Sequence, residues 1–197
     1  QFAFVSTRAG ASVLYAADMG GGPFSSWRPV AITGRKPLRP TGTVRVRVLG
    51  PDGQQVAARI YVTASDGRGY APAHGFHREI AATGIQYFHT TGAFDVEVPA
   101  GHTVIEAIKG YEYHPESTTV DVPAGSSRNV TIKLRRMIDL PARGWYSGDT
   151  HIHDLHQGRF GLTHQTFFDE LRAEDIHVTN ARIHMDGTRL MGRWDDL

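Results

Sequence analysis

The residues best suited to chemistry fall in one run, Gly148-Asp149-Thr150-His151-Ile152-His153, preceded by Gly144-Trp145-Tyr146-Ser147. Side chains alternate between the two faces of an extended strand, so Asp149, His151 and His153 share one face and Ser147 continues the row. Two imidazoles and a carboxylate then converge, which is half of a metal site. Thr150 and Ile152 point the other way, toward a core, and Gly148 permits close approach to the backbone. Cysteine is absent and histidine abundant, with eleven in the chain, so imidazoles and carboxylates are the only strong ligands available. Three neutral imidazoles with an open fourth position suit Zn²⁺, or another divalent transition metal, better than the oxygen-seeking Ca²⁺ or Mg²⁺. Such a metal activates bound water near neutral pH and polarises an oxygen of the substrate, so the implied reaction is hydrolysis of a small molecule.

The elements that must position these residues follow in the sequence. Asp154 to Gly161 is a polar loop. Thr163 reads as the N-cap of a helix through Glu174, with Phe167, Phe168 and Leu171 on one face and Asp169, Glu170 and Arg172 on the other. Ile176 to His184 reads as a second strand. Residues 144–184 thus form a β-loop-α-β unit, in which working residues sit at the C-terminal ends of strands. His151 and His153 end the first strand and His184 ends the second, which makes the three histidines the expected metal ligands. Asp149 is either a direct ligand or an acceptor that orients an imidazole N–H. Asp154 and Asp186 are candidates for a water-activating base. His156 and His164 are lesser ligand candidates, and His177 reads as structural.

The rest of the chain reads as mainly β. Residues 1–40 open with two short β-rich runs, Phe2 to Thr7 and Ser12 to Asp18, that form a hairpin, and continue through a linker-like Ser25 to Pro40. From Thr43 the pattern becomes strict alternation: Val44, Val46 and Val48 against Arg45 and Arg47, then Ala58 to Thr63, Phe94 to Val98, Val104 to Lys109, Val120 to Val122 and Val130 to Leu134. Strands at this turn-punctuated spacing predict a β-sandwich over residues 41–136. Val-Pro-Ala-Gly occurs at both Val98-Gly101 and Val122-Gly125, each time between two strands. Tyr70 to Thr91, with His74, His77 and His89, reads as one long connection, either a packed cover or a loop reaching toward the metal site. Arg135 and Arg136 read as a solvated edge at the joint to residues 137–197. The expected architecture is a β-sandwich followed by a short, incomplete β-α-β metal-binding unit. A formal charge of +1 spread over 197 residues offers no basic stripe for nucleic acid or a membrane surface, and no run is long and apolar enough to span a bilayer. The chain starts directly in a strand-like run, as a mature or excised piece does.

Three resemblances attach to these stretches. "FAFVSTRAGASVLYAADMGGG" resembles one blade hairpin of the TolB-type β-propellers. Residues 43–135 resemble the carboxypeptidase-regulatory-like sandwich domains, which usually support a neighbouring catalytic domain. "RGWYSGDTHIH" and "AEDIHVTNARIHMDGTRLMGRW", with the sandwich before them, resemble the CehA/McbA-type metallohydrolases, relatives of the PHP domains. That resemblance implies that His151 and His153 match the first two metal ligands, that Asp149 lies where an acidic residue supports them, and that ester, amide, carbamate or phosphoester bonds are hydrolysed. It also implies export, to the periplasm or outside the cell. Where PHP proteins carry Thr-Asp-His, this chain has Thr179-Asn180-Ala181. A full barrel needs further βα units beyond Leu197, so the expected assembly is a homo-oligomer that completes the site. The alternative is a catalytically inactive sandwich module with an incidental metal site.

Overall fold

The computed structural model describes residues 1–6, 13–18, 20, 26–34, 36–73, 75, 77–80, 82–153 and 164–182. Two compact units divide the chain, Pro37–Asp149 with Phe168–Val178, and Gln1–Lys36 with Thr150–Phe167 and Thr179–Leu197.

The chain is mainly β, and its larger unit is a sandwich. Strand β4 (Thr41–Leu49) lies between β8 (Ala93–Pro99), antiparallel to it, and β11 (Ser127–Lys133), parallel to it. The second sheet has the order β10 (Glu116–Val122), β9 (Gly101–Ile108), β5 (Ala58–Thr63), β7 (Ile85–Thr90) and β6 (Arg78–Ile80). Period-two alternation sets the inner faces. Val44, Val46 and Val48 of β4, Val96 and Val98 of β8, and Ile132 of β11 meet Ile60, Val62, Phe88, Ile105, Ala107 and Val122 of the other sheet in one buried cluster. Arg45 and Arg47, between the valines, are exposed. The apolar run through β9 also alternates: Ile105 and Ala107 are buried, whereas Val104 is exposed.

Gly42 explains how tightly the sheets close at one end. A Cβ there would lie 2.7 Å from both the Pro123 carbonyl oxygen and Val122 Cγ1. Both Val-Pro-Ala-Gly segments do join strands, β8 to β9 and β10 to β11. Their glycines have φ of 121° at Gly101 and 67° at Gly125, values that a side chain disfavours.

Two segments differ from the sequence expectation. Tyr70 to Thr91 is not one long connection, because it contains the β6–β7 hairpin, and β7 carries Phe88 into the core. The Ile85-Gln86-Tyr87-Phe88-His89-Thr90 strand was masked by its polar outer residues, which meet partners on the outer face of the sheet. Arg136 is not a solvated edge either. Its guanidinium donates to Glu112 Oε2 from Nη2 at 2.7 Å and from Nε at 3.2 Å, and Glu112 is 5% exposed. The Leu140 N–H donates to the same oxygen at 3.2 Å, so the joint is folded onto the turn after β9.

In the smaller unit β1 (Phe2–Ser6) and β2 (Val13–Ala17) form the expected antiparallel hairpin. The segment taken as linker contributes a short third strand, β3 (Arg28–Pro29), paired with β2. Trp27 accounts for this, since its ring meets Phe4 edge-on at 4.6 Å and fixes the chain beside the hairpin.

Candidate functional site

Gly148–His153 forms strand β12, His164–Ala173 forms helix α1, and Val178–Arg182 forms β13, with β12 and β13 paired in a two-stranded sheet. The β-α-β order expected from the sequence is therefore present. The second strand starts at Val178, because Ile176 and His177 are taken up by the turn that leaves the helix.

Asp149 and His151 are exposed on β12, and Ile152 is half-buried as expected for the opposite face. Thr150 is exposed, so only Ile152 of the two inward candidates packs inside. His153 is the last residue of β12. His184, Asp154 and Asp186, with His156 and Thr163, lie outside the described residues. His184 follows the end of β13 by two positions in the sequence. Among the described residues, no three His, Asp or Glu side chains stand close enough to hold a metal ion. His164 is the first residue of α1. His102 and His114 are exposed, and His102 faces Asp121 at 3.6 Å on the neighbouring strand.

His177 lies between helix α1 and β13, and its exposed ring meets Ser147 and Tyr146. Ser147 Oγ donates its one proton to the Asp175 carbonyl oxygen, so at the 2.7 Å contact with His177 the ring's Nδ1–H is the donor. The Tyr146 ring meets the same imidazole edge-on at 5.8 Å. The Ser147 carbonyl accepts from both His177 N and Val178 N, each at 3.1 Å.

The sequence reading missed a charged seam on the outer face of the five-stranded sheet. Arg59 on β5 and His89 on β7 are cross-strand partners, and both point away from the core because Ile60 and Phe88 point into it. Glu174, just after α1, accepts from His89 Nε2 at 2.8 Å and lies 3.2 Å from Arg59 Nη1, both through Oε1. Arg78 on β6 donates to Glu170 at 2.5 Å. Lys109, at the end of β9, pairs with Asp175 at 3.3 Å. Burial alone would push the Glu174 carboxyl up, but the His89 hydrogen bond and the charges of Arg59 and Arg78 outweigh it and hold the carboxyl below its ordinary value. Burial pushes the Tyr61 hydroxyl up, against the opposing pull of Arg59.

The helix face also differs from expectation. Phe167 and Leu171, one turn apart, are buried together with Ala173, whereas Phe168 is 48% exposed. Glu170, assigned to the solvent side, is turned to Arg78. Signals for the seam did exist in the sequence: a lysine closing an apolar strand run, and Glu174-Asp175 at a helix end where glycine is usual.

Comparison with known proteins finds no matching family and no matching curated protein. Among solved structures, the minor pilin GBS52 of Streptococcus agalactiae is similar over 65% of this chain and 61% of its own, with 18% identity and a TM-score of 0.40. The TIE protein of Bacillus anthracis matches over 49% of this chain and 17% of its own, at 12% identity and a TM-score of 0.34. Phospholipase PlaB from Legionella pneumophila matches over 62% and 28%, at 11% identity and a TM-score of 0.30. The chain thus spans less than two thirds of the length of each, and likenesses this loose transfer neither fold nor activity. No described helix is long and apolar enough to cross a membrane.

Proposed function

We propose that the β12-α1-β13 segment is the metal-binding part of a metal-dependent hydrolase, with His151 and His153 as ligands to Zn²⁺ or a similar divalent transition metal. The observation that carries this reading is the pairing of β12 with β13: the strand with the His-x-His pair lies beside the strand that runs toward His184. Histidines at i and i+2 on one strand face offer two imidazoles to one ion, and His184 is the third donor this reading assigns. Asp149, on the same face of β12, orients an imidazole or joins the ion, and Asp154 and Asp186 are the bases assigned to the bound water. A divalent metal held there would lower the pKa of a bound water and polarise an ester, amide, carbamate or phosphoester oxygen. Export to the periplasm or the cell exterior belongs to the same reading, through the resemblance to exported sandwich-linked hydrolases.

Elemental analysis of the purified chain, with a panel of esters, amides, carbamates and phosphoesters, tests the proposal. One zinc per site is expected, lost together with hydrolysis in the His151→Ala/His153→Ala double variant. A chain without stoichiometric metal, or hydrolysis that survives the double substitution, overturns it.

A further inference from the structure

We infer that Phe168–Val178 is a strap: its three carboxylates close over a row of basic residues on the outer face of the five-stranded sheet, and it opens as a unit while the sandwich stays folded. Strap and sheet belong to the same compact unit, Pro37–Asp149 with Phe168–Val178.

The two surfaces match strand by strand. Four neighbouring strands of the sheet, in the order β9, β5, β7, β6, each present a basic side chain: Lys109 one residue past β9, Arg59 on β5, His89 on β7 and Arg78 on β6. The carboxylates of the strap meet them in the reverse order. Glu170 takes Arg78 at 2.5 Å, Glu174 takes His89 at 2.8 Å and Arg59 at 3.2 Å, and Asp175 takes Lys109 at 3.3 Å. Four residues of helix advance about 6 Å. A carboxylate between β5 and β7 stands about 7 Å from β6, because neighbouring strands lie about 4.8 Å apart. Glu170 and Glu174 are therefore spaced to step across the sheet.

Two observations set the strap apart from the sandwich it covers. Leu171 and Ala173, its buried apolar residues, stand outside the buried cluster that joins the two sheets, so lifting the strap leaves that core whole. Its far end is held by backbone, since the Ser147 carbonyl accepts from the N–H groups of His177 and Val178 at 3.1 Å each, and this is the hinge. Between hinge and helix, Asp175 makes the left-handed turn at φ 56°, where glycine is usual, and so brings a carboxylate to Lys109. The Lys109 ammonium also donates to the Arg172 carbonyl, on the negative pole of the helix. An element held by charges, whose departure leaves the core intact, opens at a lower free energy than global unfolding. Acid favours the open form. Around Glu174 and its partners stand Arg59 and Tyr61 on β5, Arg78 on β6, Tyr87 and His89 on β7, and Glu106 on β9. Asp175 has Lys109 and Tyr113 near it. Burial works to raise the Glu174 carboxyl, but His89, Arg59 and Arg78 hold it below its ordinary value. The hold is complete above 4.5 and is lost as the pH falls through the lower folded value.

Lys109 reports the state of the strap, because its side chain is 10% exposed whereas Lys133 on β11 is open to solvent. The full chain is acylated with a small amine reagent at neutral pH, and peptide mass spectrometry gives the rate at each lysine. Hydrogen exchange follows β4 and residues 174–178 in parallel. Lys109 is expected to react more slowly than Lys133, with little dependence on sub-denaturing urea and with β4 still protected. Glu174→Gln should raise the Lys109 rate at least about tenfold and leave Lys133 unchanged. Glu174 pairs with β5 and β7, so a faster Lys109 there reports the strap and not the loss of its own partner. Glu170→Arg should also raise the rate, and the exchanged pair Arg78→Glu/Glu170→Arg should lower it again. Below pH 4.5 residues 174–178 should lose protection while β4 keeps it. Lys109 reacting as fast as Lys133 in the unaltered chain overturns the strap. So does a Lys109 rate that shares the urea dependence of β4 exchange, because the segment then leaves only as the sandwich unfolds. An unchanged Lys109 rate in both Glu174→Gln and Glu170→Arg overturns the hold assigned to the carboxylates.

Discussion

Glu174→Gln removes one negative charge while keeping the size of the side chain, and so isolates the electrostatics of the seam. In the folded chain this carboxylate accepts from His89 at 2.8 Å and faces Arg59 at 3.2 Å. A hydrogen bond to a charged group contributes about 1.5–3 kcal/mol, and a partly exposed ion pair adds about 0.5 kcal/mol. The loss at pH 7 should be about 2 kcal/mol, because Arg59 keeps a partial compensation from the Tyr61 and Tyr87 rings at 5.9 and 5.8 Å. In urea this moves the unfolding midpoint down by about 1 M with no change in slope. The sign of the pH dependence follows from the depressed folded-state carboxyl. Its contribution is complete above the ordinary value of 4.5 and is lost as the pH falls through the lower folded value. The stability gap between parent and variant should therefore be widest near neutrality and close in acid. A gap of less than about 0.5 kcal/mol at pH 7, the scale of an exposed pair, would refute the reasoning, as would a gap that acid leaves unchanged.

Phe88→Ala should cost about 3–5 kcal/mol by urea denaturation, because Phe88 is 1% exposed at the centre of the sandwich core. Gly42→Ala should cost about 1–3 kcal/mol, since its new methyl meets a backbone carbonyl that cannot move aside. Arg136→Ala strands the buried Glu112 carboxylate and should destabilise by about 3 kcal/mol. Its partner test is Glu112→Gln/Arg136→Met, which should recover part of that loss in a double-mutant cycle.

The sandwich was legible because one face of each strand is buried, and burial writes a period of two into the sequence. Val44-Arg45-Val46-Arg47-Val48 shows this without ambiguity. Strand β7 was harder to see for the opposite reason: both of its faces are occupied, Phe88 by the core and His89 by Glu174, so polar and apolar residues both look out of place. Trp27 drew β3 onto the hairpin through a ring contact that no local pattern announces. For the candidate site, the His-x-His spacing and the β-α-β order were readable, as both are local. The Arg59, His89 and Lys109 partners of Glu174 and Asp175 were not, because such pairs join positions distant in the chain and leave only a charged residue in an odd place.

The parallel pairing of β4 with β11 has a consequence for synthesis. The first strand of the sandwich meets one neighbour, β8, midway through the domain and must wait for the last strand before its other edge is covered. A chain growing from its N-terminus leaves that edge of β4 unpaired throughout the interval, and pairings between strands so far apart close slowly. Truncation just before Ser127 should therefore leave an aggregation-prone nascent species rather than a smaller folded domain. Ribosome-bound chains of increasing length should gain protease resistance abruptly once Lys133 has cleared the exit tunnel.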